Sequence, residues 1–280
     1  MDTCKITEQL IKDYQKALND QEKGRLTQEK YVRDLQNFRR FLGDSELIKA
    51  QVIRFKEKLL SQYAVNSVNS MLSAVNHFFE YAGWHHLKVK QVKQQHQVYC
   101  REEKELTKEE YYRLIQAAQE NSNQRLGLLM QAICSTGIRI SELHYITVEA
   151  VKDRAAMVGC KGKIRKVFLP KKLTVILLQY AKKNHILRGP VFVTKQGKPL
   201  NRSNIWREMK KICRKAGVEQ SKVFPHNLRH LFAKIYYSME KDIAKLADLL
   251  GHSNINTTRI YIMTSGTEHR KQIDRLALVI

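Results

Sequence analysis

Four short segments in the second half of the chain combine guanidinium, ammonium, imidazole and phenol side chains. They read TGIRISEL (136–143), CKGKIRKV (160–167), HNLRH (226–230) and LLGHSNINTTRIY (249–261). Each segment is a weak signal alone, because an Arg or His in a basic protein usually belongs to a solvated surface. Taken together, the segments supply fixed cations, proton donors and a hydroxyl nucleophile.

Those side-chain types suit the transfer of a phosphodiester from DNA to a protein hydroxyl. The reaction builds negative charge on a five-coordinate phosphate, and fixed cationic donors stabilise that charge more than they stabilise the ground state. Arginine suits this task because its planar guanidinium donates two bonds at once and stays protonated. A Lys or His can protonate the leaving oxygen, and a Tyr hydroxyl can attack the phosphorus.

The order and spacing of these residues resemble the tyrosine recombinases, also called the lambda or phage integrase family. The shared order is an Arg, a Lys on a hairpin, His-x-x-Arg, a His after Leu-Gly, and a Tyr. His226 and Arg229 are followed by His252 and then, nine residues later, by Tyr261. The resemblance covers the whole second domain, residues 106–280. The first ninety residues are similar to the core-binding domain of the family, with less specific signals.

The resemblance implies a catalytic role for five residues of these segments. Arg139 and Arg229 would hold the phosphate, and their guanidinium groups would stabilise its charge. His226 would sit beside the phosphate and share proton transfer. His252 would donate a hydrogen bond to a phosphate oxygen. Tyr261 would be the nucleophile, selected among 12 tyrosines by its distance from the Gly-His pair.

The resemblance also implies roles for the hairpin and for one carboxylate. Lys161, at the start of the hairpin turn, would protonate the leaving 5′-oxygen. Lys163, Arg165 and Lys166 crowd the same hairpin, so an alignment shifted by one step stays open. Glu142 would support the neighbouring basic groups. The alternative for Glu142 is an acid at a helix N-terminus, where it interacts favourably with the helix dipole.

Two further residues of segment 226–230 are expected to stay away from the phosphate. Asn227 stands where family members often carry an acidic residue, and we do not expect it to touch the phosphate. His230 is expected to point elsewhere and to have a packing and hydrogen-bonding role.

The elements that must position these residues are predicted to be mainly helical, in two domains. Apolar residues at helical spacing predict a small all-α bundle over residues 1–87, in which Thr27 is the N-cap of the second helix. The resemblance implies that this bundle is the core-binding domain. Residues 88–105 are rich in Lys and Gln and predict an extended basic linker. Residues 106–280 predict a mostly helical catalytic domain, opened by a capping box at Thr107 and containing one β-hairpin.

The linker and the hairpin carry the residues expected to contact DNA. In the family that the chain resembles, two domains close around the duplex and the linker crosses the backbone. The corresponding basic residues here are Lys88, Lys90, Lys93, Arg101, Lys163 and Arg165.

The charge of the chain agrees with a nucleic-acid partner. The chain has 50 Lys+Arg against 27 Asp+Glu, a formal net charge of +23. Such an excess attracts polyanions, although charge alone leaves a ribosomal or membrane-surface protein open. No apolar stretch approaches the roughly 20 residues that cross a bilayer, and the N-terminus does not resemble a signal peptide, so a cytoplasmic protein is expected.

No cofactor is expected. The five cysteines are odd in number and form no CxxC pair, so neither a disulfide framework nor a zinc site is indicated. The acids needed for a two-metal nuclease site are not clustered near the basic groups. The resemblance implies a covalent link that conserves the phosphodiester energy, so that neither ATP nor Mg²⁺ is required.

Residues 268–280 predict a short amphipathic tail helix with an apolar stripe. The stripe is formed by Ile273, Leu276, Ala277 and Ile280. It can pack on its own domain or, as the resemblance implies and as we favour, on a neighbouring protomer in a homo-tetramer on double-stranded DNA.

The expected function is site-specific DNA recombination, with two alternatives. A type IB topoisomerase uses the same residue types to relax DNA, but works as a monomer. A DNA-binding regulator on the same scaffold would be expected to have lost active residues, and none is lost here. We expect no extra arm-binding domain of the kind that larger phage integrases carry, and therefore a compact Xer-like or mobile-element integrase. The sequence leaves open its DNA site, and whether it integrates, excises, inverts or resolves.

Overall fold

The computed structural model divides the chain into two compact units, Met1–His96 and Gln97–Ile280, each with its own hydrophobic core. It describes residues 4–93, 105–160, 163–194, 196–261 and 274–275. The prediction of a mainly helical, two-domain fold with one small sheet is confirmed. None of the described helices is long and apolar enough to span a bilayer.

The first unit is a bundle of helices with an aromatic core. Its helices are α1 (Glu8–Asp20), α2 (Arg25–Leu42), α3 (Lys49–Gln62) and α4 (Val65–Tyr81), followed by a 3-10 turn at His85–Leu87. The apolar stripes of these helices meet in a buried cluster. Tyr14, Phe38 and Phe78 are fully buried there, and Tyr14 packs edge-on against Phe78 with ring centroids 5.2 Å apart.

The N-cap predicted for the second helix is wrong. Helix α2 begins two residues before Thr27, and Gly24 is its N-cap residue without any side-chain hydrogen bond. The carbonyl of Gly24 accepts from the N–H groups of Thr27 and Gln28 at 2.8 and 3.1 Å. Glycine is an accepted N-cap residue, so the first turn forms without the Thr27 hydroxyl.

Two asparagines of helix α4 form hydrogen bonds with the backbone of the first residues of the predicted linker. The Asn76 side chain accepts from the Val89 N–H at 3.0 Å and donates to the Val89 carbonyl at 2.8 Å. Asn69 makes the same pair of bonds with Val92, at 2.8 and 2.9 Å. The two asparagines lie seven residues apart, about two helical turns, and therefore share one face of the helix. Residues 94–104 of the predicted linker lie outside the described residues.

The second unit is a helical domain with one two-stranded sheet. Its elements in chain order are α5 (Lys108–Glu120), α6 (Gln124–Thr136), a 3-10 helix (Ile140–Tyr145), α7 (Val148–Lys152), β1 (Ala155–Cys160), β2 (Lys163–Phe168), α8 (Lys171–Lys183), α9 (Arg202–Ala216), a 3-10 turn (Gln220–Lys222), α10 (Pro225–Glu240), α11 (Ile243–Leu250) and α12 (Ile255–Arg259). The predicted capping box at Thr107 and Glu110 is confirmed. Helix α6 is buried along most of its length and packs against α5 and α10.

The β-hairpin is antiparallel, and its register decides which of its side chains face the domain. Strand β1 pairs with β2 from Ala155↔Phe168 to Cys160↔Lys163. Because successive side chains of a strand point to opposite faces, Arg165 faces the same side as Val167. Val167 is 3% exposed, whereas Ile164 on the other face is 74% exposed. The register therefore directs the Arg165 side chain inward.

Candidate active site

The candidate site lies in the second unit, where the ends of three helices meet. Helix α6 ends at Gly137, α10 begins beside Phe224 with Pro225 in its first turn, and α11 ends at Gly251. These ends bring together His226 and Arg229 of α10 with the segments that follow α6 and α11. The fold thus joins residues that lie more than a hundred positions apart in the sequence.

Arg229 is the centre of this arrangement and is held by helix ends. Its side chain is 1% exposed. The Nη1 group donates to the carbonyl of Gly137 at 2.6 Å, and Nη2 donates to the carbonyl of Leu250 at 2.7 Å. Carbonyl groups at a helix C-terminus lack intrahelical partners and carry the negative end of the helix dipole. They accept hydrogen bonds from both Nη groups without neutralising the charge of the guanidinium. Burial and the charge of Arg139 lower the pKa of Arg229 to about 10, so it stays protonated at neutral pH.

Both helix ends need glycine for a positive φ and for space. Gly137 has φ +65°, and a Cβ atom there would lie 2.6 Å from the ring of Phe232. Gly251 also has φ +65°, and a Cβ atom there would lie 2.4 Å from the Cδ atom of Arg165. The glycine of the Leu-Gly-His segment therefore makes room for an arginine from the hairpin.

Glu142 forms ion pairs with two further arginines near Arg229, namely Arg139 and Arg165. Its carboxylate accepts from the Arg139 guanidinium at 2.8 Å and from the Arg165 guanidinium at 2.7 Å, and also from the Arg139 backbone N–H at 2.9 Å. Burial raises the pKa of Glu142, but the hydrogen bonds from Arg139 and the charge of Arg165 outweigh burial and lower it overall. Glu142 therefore both caps the 3-10 helix and pairs with two basic groups. We call Arg139, Glu142, Arg165 and Arg229 the arginine cluster.

The arginine cluster has more positive than negative charge, with three guanidinium groups around one carboxylate. The Nε–H groups of Arg165 and Arg229 are buried and find no acceptor among the described residues. Unpaired buried donors are costly and are unusual in folded proteins. A cluster with excess cations and unused donors is suited to bind an anion.

His252 lies against Arg229, immediately after the end of α11. Its Nε2 atom is 3.0 Å from Arg229 Nη2, and its Nδ1 atom is 2.9 Å from the hydroxyl oxygen of Thr258. Burial lowers the pKa of His252 to about 4, helped by the charges of Arg229, Arg139 and Arg165. The ring is therefore neutral at pH 7.

Tyr261 lies between two imidazole rings. Its ring centroid is 4.1 Å from that of His230 and 5.5 Å from that of His252. The phenol of Tyr261 and the guanidinium of Arg229 thus both contact His252. His230 was expected to pack and to point away from the site. It does pack, but against Tyr261, which belongs to the site. Burial lowers the pKa of His230 to about 4.

His226 lies one turn before Arg229 on α10, and its side chain is exposed. Burial of part of the ring lowers its pKa, and the charges of Arg229, Arg202 and Arg139 lower it further. The His226 imidazole therefore lies within electrostatic range of Arg139 and Arg229. Asn227, the next residue, turns away and donates to the Lys222 carbonyl at 2.8 Å.

Three of the four residues of the predicted linker that were expected to contact DNA belong to the first unit, Lys88, Lys90 and Lys93. Lys88 is partly exposed and pairs with Glu80 at 3.2 Å. Lys90 and Lys93 are exposed. Arg101 lies outside the described residues, so its expected role stays a prediction.

The hairpin residues are placed unequally. Lys161 lies outside the described residues, as does the side chain of Lys163, and their expected roles stay predictions. Arg165 was expected to contact DNA from the hairpin, but its side chain turns inward and is only 13% exposed. Its Nη1 group donates to the carbonyl of Leu249 at 2.6 Å. The hairpin is thereby fastened to the end of α11.

Sequence reasoning missed three contributions to the site. Arg165 is in the arginine cluster, Thr258 holds His252, and His230 packs on Tyr261. The inward position of Arg165 has a sequence signal, because the strand alternates and Val167 on the same face is apolar. The contacts of Thr258 and His230 have no comparable signal, since they join elements by tertiary packing.

Two family models match the chain and cover the two units. Residues 104–267 match the Phage integrase family, and residues 11–86 match the phage integrase N-terminal SAM-like domain. The first match alone covers more than half of the 280 residues. The chain belongs to the phage integrase family. Within this family it is a tyrosine site-specific recombinase, as the named relatives are.

The recombinase is similar to proteins of the Xer type. Tyrosine recombinase XerH of Campylobacter jejuni is 32% identical over 166 residues, which cover 56% of this chain and 47% of that protein. Tyrosine recombinase XerA of Pyrococcus furiosus is 28% identical over 235 residues, which cover 81% of this chain and 80% of that protein.

Solved structures share its fold. A lambda integrase dimer bound to a COC′ core site matches with a TM-score of 0.75 at 19% identity, covering 93% of this chain and 96% of that one. A pre-cleavage complex of XerH with its difH substrate matches with a TM-score of 0.71 at 19% identity, covering 96% and 84%.

Proposed function

We propose that the recombinase cuts and rejoins DNA strands through a 3′-phosphotyrosine link to Tyr261. The Tyr261 phenol loses its proton as its oxygen attacks the scissile phosphorus, the bond from phosphorus to the 5′-oxygen breaks, and the 5′-oxygen leaves with a proton. A 5′-hydroxyl of a partner strand then reverses the reaction and frees Tyr261. The phosphodiester energy is kept in the phosphotyrosine, so the cycle as proposed consumes neither ATP nor a metal-activated water.

The arginine cluster is proposed to bind the phosphate. Arg139 and Arg229 would stabilise the charge of the five-coordinate phosphorus, where preorganised donors act more strongly than on the ground state. His252 would donate to a phosphate oxygen. Lys161 would give the proton that the leaving 5′-oxygen needs, with His226 sharing proton transfer. Glu142 would hold Arg139 in position.

One observation carries this proposal: Arg229 and the ring of Tyr261 both contact His252. A buried guanidinium and a phenol held by the same imidazole place the expected phosphate clamp next to the expected nucleophile. A DNA-binding regulator has no need of that proximity.

We propose double-stranded DNA in the cytoplasm as the substrate and a homo-tetramer as the active assembly. Two of the similar structures are a lambda integrase tetramer bound to a Holliday junction and a XerH complex with difH. We also propose a core-binding domain over residues 1–87, a basic linker over residues 88–105 and a catalytic domain over residues 106–280. The proposal includes a tail helix over residues 268–280, most of which lies outside the described residues. Deletion of residues 268–280 should weaken synapsis while single-site DNA binding is kept.

Covalent trapping tests the proposed function. Adducts formed in cells are isolated and their DNA sequenced, which gives the recognition site. Purified protein is then incubated with a nicked suicide duplex carrying that site, and adducts are separated on a denaturing gel. The wild type should form an adduct, and Tyr261→Phe should form none, whereas the within-helix control Tyr236→Phe should form it normally.

Absence of an adduct with the wild-type protein would instead favour a regulator. Relaxation of supercoiled plasmid without the site would favour a type IB topoisomerase. An adduct that survives Tyr261→Phe would show that a different residue is the nucleophile.

A further inference from the structure

The two ring nitrogens of His252 have fixed and opposite roles in the free protein. A guanidinium group only donates hydrogen bonds, so Nε2 must accept from Arg229 Nη2 across their 3.0 Å contact. The proton of the neutral ring must then be on Nδ1. It is donated to the hydroxyl oxygen of Thr258 at 2.9 Å.

This arrangement conflicts with the role of His252 in the proposed function, on which the inference rests. A phosphate oxygen accepts hydrogen bonds, so Nε2 must carry a proton to donate to it. Arg229 must also redirect the Nη2 hydrogen that now points at His252, since its other Nη2 hydrogen is used by the Leu250 carbonyl. Phosphate binding therefore requires Nε2 to change from acceptor to donor.

The surroundings of His252 favour a move of the proton within the neutral ring over the gain of a second proton. The ring contacts Arg229 of α10. It lies within electrostatic range of Arg139 at the start of the 3-10 helix, of Arg165 of β2 and of the acidic Glu142. Tyr261 packs on its face. Burial and these arginines lower the pKa of His252 to about 4. An imidazolium is therefore costly at this position.

Thr258 is suited to serve both forms of the ring. Its hydroxyl can accept from Nδ1–H in the free protein and, after rotation, donate to a bare Nδ1 in the complex. The Thr258 side chain is fully buried, whereas the His252 ring is partly exposed and can exchange protons with solvent. The Thr258 carbonyl accepts from the Tyr261 N–H at 2.9 Å, which ties the same residue to the proposed nucleophile.

We propose that Thr258 is a positioning residue that lets His252 exchange tautomers when the DNA phosphate binds. Nδ1 releases its proton to water, Nε2 takes one from water, and the Thr258 hydroxyl turns from acceptor to donor. No net proton is taken up. Arg229 then exchanges its bond to Nε2 for one to a phosphate oxygen, and Nε2–H donates to the phosphate beside it.

Nitrogen NMR of ¹⁵N-histidine-labelled protein tests the exchange directly. The labelled protein carries Tyr261→Phe, so that the DNA complex does not react, and His252→Gln identifies the His252 signals. The probe is a duplex with the sequence recovered from the trapped adducts. The proton is expected on Nδ1 in free protein and on Nε2 in the complex. The same tautomer in both states would overturn the proposal, and so would two protonated nitrogens in the complex.

Substitutions at Thr258 test its role in the reaction. Thr258→Val keeps the shape and removes the hydroxyl, Thr258→Ser keeps the hydroxyl, and Thr257→Val is the matched control at an exposed neighbour. At saturating DNA, Thr258→Val should slow adduct formation on the order of tenfold, the worth of one hydrogen bond, with unchanged DNA affinity. Thr258→Ser should recover most of the rate, and Thr257→Val should not change it.

The outcomes separate the inference from the proposed function. Equal adduct rates for Thr258→Val and Thr257→Val would overturn the inference, as would a folded Thr258→Ser variant as slow as Thr258→Val. Circular dichroism and thermal unfolding show which variants are folded. Failure of the wild type to form any adduct would overturn the proposed function, while the tautomer of the free protein is read without any reaction.

Discussion

Asp34 in the first unit and Arg229 in the second are both charged and almost fully buried, at 2% and 1% exposure. Asp34 is paired with Lys30 at 2.6 Å, one turn away on the same helix. Its carboxylate is therefore neutralised by a local partner. Arg229 instead donates to the carbonyls of Gly137 and Leu250, which come from the ends of two other helices.

The difference teaches how a fold keeps a buried charge available for an anion. A carboxylate partner satisfies a cation and cancels its charge, whereas carbonyl partners satisfy its hydrogen bonds and leave the charge in place. The pair in the first unit stabilises a helix. The arginine cluster in the second unit keeps a positive potential at one point, as a phosphate-binding site requires.

The largest effect on stability is expected from removing the one carboxylate of the arginine cluster. Glu142→Gln leaves Arg139 and Arg165 without their shared counter-charge, so the free energy of unfolding should fall by about 3–5 kcal/mol. Urea denaturation of the full chain measures the change. The exposed Glu109→Gln control should change stability by less than about 0.5 kcal/mol. A similarly small loss for Glu142→Gln would show that the cluster does not need its carboxylate.

The next prediction concerns the rate of adduct formation and compares the two buried charged residues, Arg229 and Asp34. Arg229→Lys keeps a positive charge but loses the planar pair of donors, so adduct formation at saturating DNA should fall roughly 100- to 1000-fold. Asp34→Asn should lower the stability of the first unit and leave the adduct rate of folded, DNA-bound protein unchanged. A large loss of rate in Asp34→Asn would remove the contrast between the two units.

A smaller effect is expected on the pH dependence of stability. The pKa values of His230 and His252 are lowered to about 4 in the folded protein, from an ordinary value of 6.5. Unfolded chains therefore bind more protons between these pH values, and stability falls as the pH drops from 6.5 towards 4. Each ring contributes at most about 1.4 kcal/mol per pH unit. As the pH drops from 6.5 towards 4, the urea midpoint of His252→Gln should fall less steeply than that of the wild type. Identical slopes would contradict the burial of this ring.

The last comparison concerns two glycines of the second unit that share the same left-handed conformation, and only the difference between them is at issue. Gly217 has φ +58° with nothing within 4 Å of a built Cβ atom, whereas at Gly251 a Cβ atom meets Arg165. Gly217→Ala should cost about 1–2 kcal/mol from the backbone alone. Gly251→Ala should cost about 1–3 kcal/mol more, because Arg165 must move. Thermal unfolding compares the two variants, and equal losses would show that Arg165 adapts freely.

Much of the fold was predictable because its signals are local. The apolar stripes of α1 to α4, the capping box at Thr107 and the β-hairpin each depend on neighbours within a few residues. The N-cap at Thr27 was predicted wrongly, since the Gly24 carbonyl starts the helix without a side chain. The fastening of residues 88–93 to α4 was missed, because it depends on asparagines far away in the sequence.

Within the candidate site, the amino-acid sequence by itself determined which residues are available and in what order. The spacing from His226 to Tyr261 selected the histidines, the arginine and the phenol through a resemblance. The tertiary structure decided how they are held: Arg229 by two helix ends, Arg165 under Gly251, and the proton of His252 by Thr258. The physical reason is that hydrogen-bond partners of buried groups are set by packing between distant elements, which local periodicity does not encode.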